Sequence, residues 1–162
     1  MPKQSFLNKL KKEGKLTLAE PSEEICMSYL EKSENCLKAA KILLENKLYE
    51  NSVSSSYYAM YNVLIALLFR TGIKCENHSA SILLLKEIFH NDKLFKIISF
   101  AKEERIDKQY YVTSQKNVEL TKDSAQDMIH RAEEFTIGLK LSIKSINHDM
   151  VQLIRKEFEK KY

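Results

Sequence analysis

The 162 residues predict an all-α protein, an antiparallel up-and-down four-helix bundle with short extra helices at the termini. Three observations lead there. Three glycines (Gly14, Gly72, Gly138) and two prolines (Pro2, Pro21) are too few for the many tight turns of an all-β chain. Leu, Lys, Glu, Ala and Ile dominate, and most of these favour helix. Apolar residues recur at three- and four-residue spacing over long windows. The length fits one domain with one hydrophobic core.

The chain divides into a basic N-terminal arm (1–20), the bundle proper (21–146) and a C-terminal helical extension (147–162). Residues 1–16 carry Lys3, Lys9, Lys11, Lys12 and Lys15 against Glu13 alone, which accounts for the formal net charge of +4. The arm holds a short amphipathic stretch, Phe6 to Lys12, ended by Gly14. Such an arm meets RNA phosphates or an acidic partner, or is simply a solvated tail.

The first strong helix begins after Pro21, with Ser22 as N-cap and Glu23 and Glu24 in its first turn. Ile25, Tyr29, Leu30, Cys36, Leu37, Ala40, Leu43 and Leu44 give it an apolar face that fades near Asn46. A second helix, Tyr49 to Arg70, is apolar nearly all round in its later half and so belongs at the centre of the bundle. Gly72 stops it. The polar connection Lys74 to Asn77 leads to a third helix, Ser79 to His90, capped by Asn77 or Ser79. After a short amphipathic piece, Leu94 to Ala101, the stretch Glu103 to Leu120 looks irregular, and long irregular connections are often functional. A fourth helix starts near Thr121, with Met128, Ala132, Phe135, Leu139, Ile143 and Ile146 as its seam. Run on to Tyr162 it would measure roughly 60 Å, too long for the domain, so a break is expected near Asn147.

Cys26, Cys36 and Cys75 are odd in number and form no Cys-x-x-Cys pair, which argues against a zinc knuckle or a disulfide framework. Free thiols suit a reducing cytoplasm. The arm lacks the apolar region of a signal peptide. The apolar run Tyr57 to Phe69 is interrupted by Asn62 and is shorter than the about 20 residues that span a bilayer. No membrane and no cofactor are expected.

Three groups of residues could carry chemistry. Ser54, Tyr58, Tyr61 and Asn62 put hydroxyls and an amide on one stripe of a greasy helix. Buried polar groups need partners, so the stripe is an internal hydrogen-bond network or the wall of a polar site. His78 and Ser79 open the third helix, where an imidazole could meet an anion near the helix dipole or act only as a local hydrogen-bonding residue. Arg105, with Asp107 and Tyr110 after it, offers a planar fork for a phosphate or one half of a surface ion pair.

Taken together, the run Ser54-Ser55-Ser56-Tyr57-Tyr58-Ala59-Met60-Tyr61-Asn62, then Gly72 and His78-Ser79, then Arg105 followed five residues on by Tyr110, and the closing Ala132-Glu133-Glu134-Phe135, resemble the HEPN superfamily (higher eukaryotes and prokaryotes nucleotide-binding), in particular its small prokaryotic members. The likeness covers residues 22–146. It implies a helical bundle that pairs into a homodimer and a metal-independent ribonuclease that acts as a toxin. It also implies a minimal nucleotidyltransferase as neutralising partner. The family's motif is an Arg, then a His after four to six intervening residues, near the dimer interface. A base there deprotonates the ribose 2′-OH while the Arg stabilises charge on the phosphate.

On that resemblance Arg105, His78 and Tyr110 are the catalytic candidates. Tyr58, Tyr61, Asn62, Ser79 and Asp107 are the candidates for binding a nucleotide or RNA. The chain departs from the motif in one respect: Tyr110 stands where the His is expected, and a phenol with a pKa near 10 is a poor base at neutral pH. Pairing Arg70 with His78 leaves seven intervening residues, too many for the motif. Either His78 supplies the imidazole from another helix, or the site is inactive and the protein binds a nucleotide, an RNA or a partner. Two other classes remain. Glu87-x-x-His90 and Asp127-x-x-His130 have the spacing of a di-iron bundle, but the central helix offers no carboxylate between Asn51 and Arg70. An interaction module that homodimerises or docks a nucleotidyltransferase is the third.

Overall fold

The computed structural model describes the backbone of residues 3–110 and 120–162 and the side chains of residues 5–105 and 120–162. Its elements, in order, are α1 (Lys3–Lys12), β1 (Leu16–Leu18), α2 (Glu23–Glu45), α3 (Tyr49–Thr71), β2 (Ile73–Cys75), α4 (His78–Glu87), α5 (Asp92–Tyr110), α6 (Lys122–Ser145) and α7 (His148–Lys161). The fold is the expected all-α bundle, but its four helices are α2, α3, α5 and α6, with α5 standing where the sequence reading put the helix at 79–90, now α4.

The expected caps are in place. Ser22 Oγ accepts from the Ile25 amide at 3.2 Å, and Asn77 Oδ1 accepts from the Ala80 amide at 3.0 Å. Thr121 and Ser124 form a reciprocal capping box at the head of α6. Asn147 Oδ1 accepts from Met150 at 2.9 Å, so the long C-terminal pattern does break there, into α6 and α7. Each such cap contributes about 1 kcal/mol. Gly72 ends α3 in the left-handed conformation, φ 71°. A Cβ at Gly72 would run into Ala19 O and Arg155 Nη1, so glycine is required there for space as well as for dihedral.

Two further features differ from the sequence reading. The arm is tied down by three of its leucines: Leu7, Leu10 and Leu16 are buried in the same core as the bundle. β1 pairs antiparallel with β2, Leu16 opposite Cys75 and Leu18 opposite Ile73. Three-residue strands are too short to leave a period-two signature, which is why the sequence pattern missed them. The second difference is α5, which runs through the stretch expected to be irregular as far as Tyr110.

α3 is the central helix. It is long and apolar enough to cross a bilayer by length and composition, but 67% of that window is buried inside the bundle. Its contact with α2 is close because small residues face each other there: Ser33 and Ala40 on α2, Ser52, Ser56 and Ala59 on α3, all buried. The hydroxyls bond across the interface in both directions. Ser33 Oγ donates to Ala59 O at 2.7 Å, and Ser52 Oγ donates to Ala40 O at 2.8 Å. On the far side, Phe135, Leu139 and Ile143 of α6 close over α3. A larger side chain at the seam has nowhere to go. Ala59→Leu is expected to cost about 1–3 kcal/mol by overpacking, and Ser33→Ala about 1 kcal/mol by removing one interhelical bond. Thermal unfolding checks both, and an Ala59→Leu midpoint equal to wild type would contradict the close seam.

Candidate functional site

Tyr57, Tyr58 and Tyr61 lie on neighbouring faces of α3, opposite the α2 seam. Tyr57 is buried, Tyr61 half-buried and Tyr58 exposed. After Gly72, β2 and the Asn77 cap turn the chain back, so that α4 begins with His78 lying flat on Tyr61. The ring centroids are 3.9 Å apart and the planes 15° from parallel. Tyr61 in turn lies 6.1 Å from Tyr57 at 18°. Three near-parallel rings therefore form a column: Tyr57 in the core, Tyr61 in the middle and His78 at the surface.

α5 supplies the cations. Arg105 Nη1 donates to the Tyr58 hydroxyl at 2.9 Å. Its guanidinium carbon sits 5.1 Å from the Tyr57 ring centroid and 5.0 Å from that of Tyr58. This is a cation held by π-faces and a phenol. Its Nε is buried with no hydrogen-bond partner among the described residues. One turn earlier, Lys102 Nζ donates to Ser79 Oγ on α4.

The titration of the neighbours follows from this packing. Burial pushes the Tyr57 phenol up to about 12, well beyond any help from Arg105. Burial also raises Tyr61, opposed by a hydrogen bond with Ser81. His78 is held below its ordinary value by partial burial first, then by the charges of Arg105 and Lys102. The result, among the described residues, is a neutral imidazole within reach of two cations and near the neutral phenols of Tyr57 and Tyr61.

The structure brings together Arg105, His78, Ser79, Tyr58 and Tyr61, residues from three helices. Asn62 does not join them: its Nδ2 donates to Cys36 Sγ at 3.5 Å, so it faces α2. The side chains of Asp107 and Tyr110 lie outside the described residues, although the α5 backbone passes through both. Sequence reasoning missed Lys102 and Ser81, and named Tyr57 only within the run 54–62 without a role. Lys102 is three residues before Arg105, the spacing that puts two side chains on one helical face. That signal was unusable once the helix was taken to end at Ala101.

The HEPN domain model matches residues 27–139. This chain belongs to the HEPN family. A Methanocaldococcus jannaschii protein named "Putative toxin MJ0605" is 33% identical over 129 residues, covering 76% of this chain and 92% of that protein. A second protein of that organism with the same kind of name is 29% identical over 73% of this chain and 81% of its own length. A Thermotoga maritima protein named "UPF0332 protein" is 26% identical over 76% of this chain and 95% of its own length. The matched region of the HEPN chain spans α2 to most of α6, and so contains every described residue of the cluster.

The residues of the di-iron alternative are engaged separately. Glu87 pairs with Lys161 at 3.1 Å, His90 with Glu157 at 2.9 Å, Asp127 with Arg131 at 2.7 Å and His130 with Glu133 at 3.4 Å. Among the described residues no group of three His, Cys, Asp or Glu side chains is placed to hold a metal ion.

In an NMR titration the His78 imidazole is expected to have its midpoint below 6.5, and Arg105→Gln or Lys102→Gln moves it upward. The unfolded chain takes up that proton first. His78 therefore opposes folding progressively as pH falls from 6.5 to the folded midpoint, and His78→Gln blunts that acid-side loss of thermal stability. A midpoint unmoved by either substitution would remove the cations from the account.

Proposed function

We propose that this HEPN protein is a toxin-type protein that engages RNA at the Arg105–His78 cluster and cleaves its backbone without a metal cofactor. The observation that carries the reading is Arg105, held on Tyr57 and Tyr58 in electrostatic reach of the neutral His78 imidazole. The names of the relatives support it.

The chemistry follows from the residues. The neutral imidazole takes the proton of a ribose 2′-OH, whose oxygen attacks the adjacent phosphorus. Arg105 and Lys102 offset the charge that builds on the phosphoryl oxygens. The 5′-oxygen leaves and takes a proton from solvent, giving a 2′,3′-cyclic phosphate and a free 5′-hydroxyl. His78 fills from α4 the role for which the family motif would place a His at Tyr110. Tightly controlled induction in growing cells tests the proposal. Wild type arrests growth, and Arg105→Ala or His78→Ala at equal soluble expression relieves the arrest. Arrest that persists in both variants, or no arrest at all, counts against it.

A second reading, an interaction module, draws on a different face. A groove of about 830 Å³ runs between α2 and α6, floored by Met27, Leu30, Ile137 and Leu141. Met27, Ile137 and Leu141 are 59%, 60% and 64% exposed. The α2 wall carries Glu23, Glu24, Glu31 and Glu34, while the other carries Lys144 and Lys140, the latter already bonded to Glu34 at 2.6 Å. A second copy of this chain fits best, because a two-fold axis would set the acidic wall of each protomer against the basic wall of the other. A dimer by light scattering that Leu141→Glu converts to monomer at micromolar concentration supports this. A wild-type monomer refutes it and leaves the groove to the nucleotidyltransferase that the family resemblance implies.

A further inference from the structure

The ring column has an open end. Tyr61 covers one face of the His78 imidazole at 3.9 Å, yet His78 is an exposed residue, so its exposure lies on the other face and the edge. A flat ring seated there would be the fourth member of a stack whose first three are already parallel to within 18° and 15° at successive steps. Lys102 is bonded to the adjacent Ser79, and the charges of both Arg105 and Lys102 are felt at the His78 imidazole. A ligand that carries a flat ring next to an anionic group matches both features at once, and a nucleotide is such a ligand. Two cations alone would suit any phosphate. The column adds a requirement for a base.

We infer that the outer face of His78 is a stacking platform for one unpaired nucleobase, whose phosphate is gripped by Arg105 and Lys102. This rests on the nucleic-acid reading above and narrows it to single-stranded substrate. In a duplex both faces of a base are covered by its neighbours, and a base must leave the stack to lie on a protein ring. Stacking does not compete with proton transfer, since the imidazole nitrogens present their lone pair and N–H in the ring plane, at right angles to the stacked face. One residue can thus seat the base and still take the 2′-OH proton at its edge. Because the platform is a ring face, it accepts any base, and sequence preference is expected to be weak.

The test uses the whole chain with 2-aminopurine riboside 5′-monophosphate as a fluorescent probe, whose emission is quenched on stacking, and ribose 5-phosphate as the baseless competitor. Wild type is expected to quench the probe and to bind it at least about tenfold tighter than ribose 5-phosphate. His78→Ala binds the two alike. His78→Phe, which keeps a ring but no proton-transfer group, retains the preference for the base and loses growth arrest. Equal affinity of wild type for probe and competitor overturns the inference, as does a His78→Phe variant that binds no better than His78→Ala while circular dichroism shows it folded. The two readings fail separately: arrest without base preference removes the platform alone, and base preference without arrest removes the toxin reading alone.

Discussion

Five small side chains set the geometry from which the rest follows. Ser33, Ala40, Ser52, Ser56 and Ala59 let α2 and α3 approach closely enough for serine hydroxyls to reach carbonyls on the opposite helix. Larger residues would push the helices apart and leave those hydroxyls buried without partners, at about 1–3 kcal/mol each. With α2 pressed on one side and Phe135 and Leu139 of α6 on another, α3 is held in a fixed rotation. That rotation decides which residues point away from α2, and they are Tyr57, Tyr58 and Tyr61. The candidate site is the outer side of the helix whose inner sides are the core, so displacement of the α2 seam is felt at the tyrosines.

The electrostatics of the cluster depend on what holds the arginine. A carboxylate would neutralise Arg105 and compete with an incoming phosphate. Among the described residues, the groups that orient the guanidinium are two π-faces and a phenol hydroxyl, none of which neutralises its charge. The same choice acts on His78. Partial burial first, and then the two neighbouring cations, favour the neutral imidazole, the form that can accept a proton. An anion bound between them would reverse this, screening the cations and favouring the protonated ring. Such a change suits a group that must first take a proton and later release it.

The fold was legible in the sequence wherever a local signal existed. Ser22, Gly72, Thr121 and Asn147 marked helix ends because capping is written in one or two residues, and the α6 seam showed because its period is long. The site was legible only in part. His78, Ser79, Tyr58, Tyr61 and Arg105 could be named, but what joins them is the turn from α3 through β2 to α4, and no periodicity encodes that. Asn62 shared the helical stripe and was still misplaced, since an arc a third of the way round a helix includes directions that meet different neighbours. α5 was cut short because residues 102–105, Lys-Glu-Glu-Arg, show no apolar stripe. That part of α5 meets the bundle through Arg105 on aromatic rings, a contact that hydrophobic patterning does not register.

The segments outside the matched family region contribute to the site through the same turn. Arg155 of α7 directs one guanidinium nitrogen at Ala19 O, 2.7 Å, and Gly72 O, 3.1 Å, which ties α7 to the start of β2. Ala19 N donates to Gly72 O at 2.8 Å, and β1 pairs with β2. These bonds satisfy groups at the end of α3 that the helix itself leaves open, and they fix the path from Gly72 to Asn77. His78 follows directly, and its seat on Tyr61 requires that the path arrive at one distance and one angle. The basic arm and the C-terminal helix are far from Arg105 in sequence. By holding both strands against the end of α3, they restrict the freedom of the one loop that aims the imidazole.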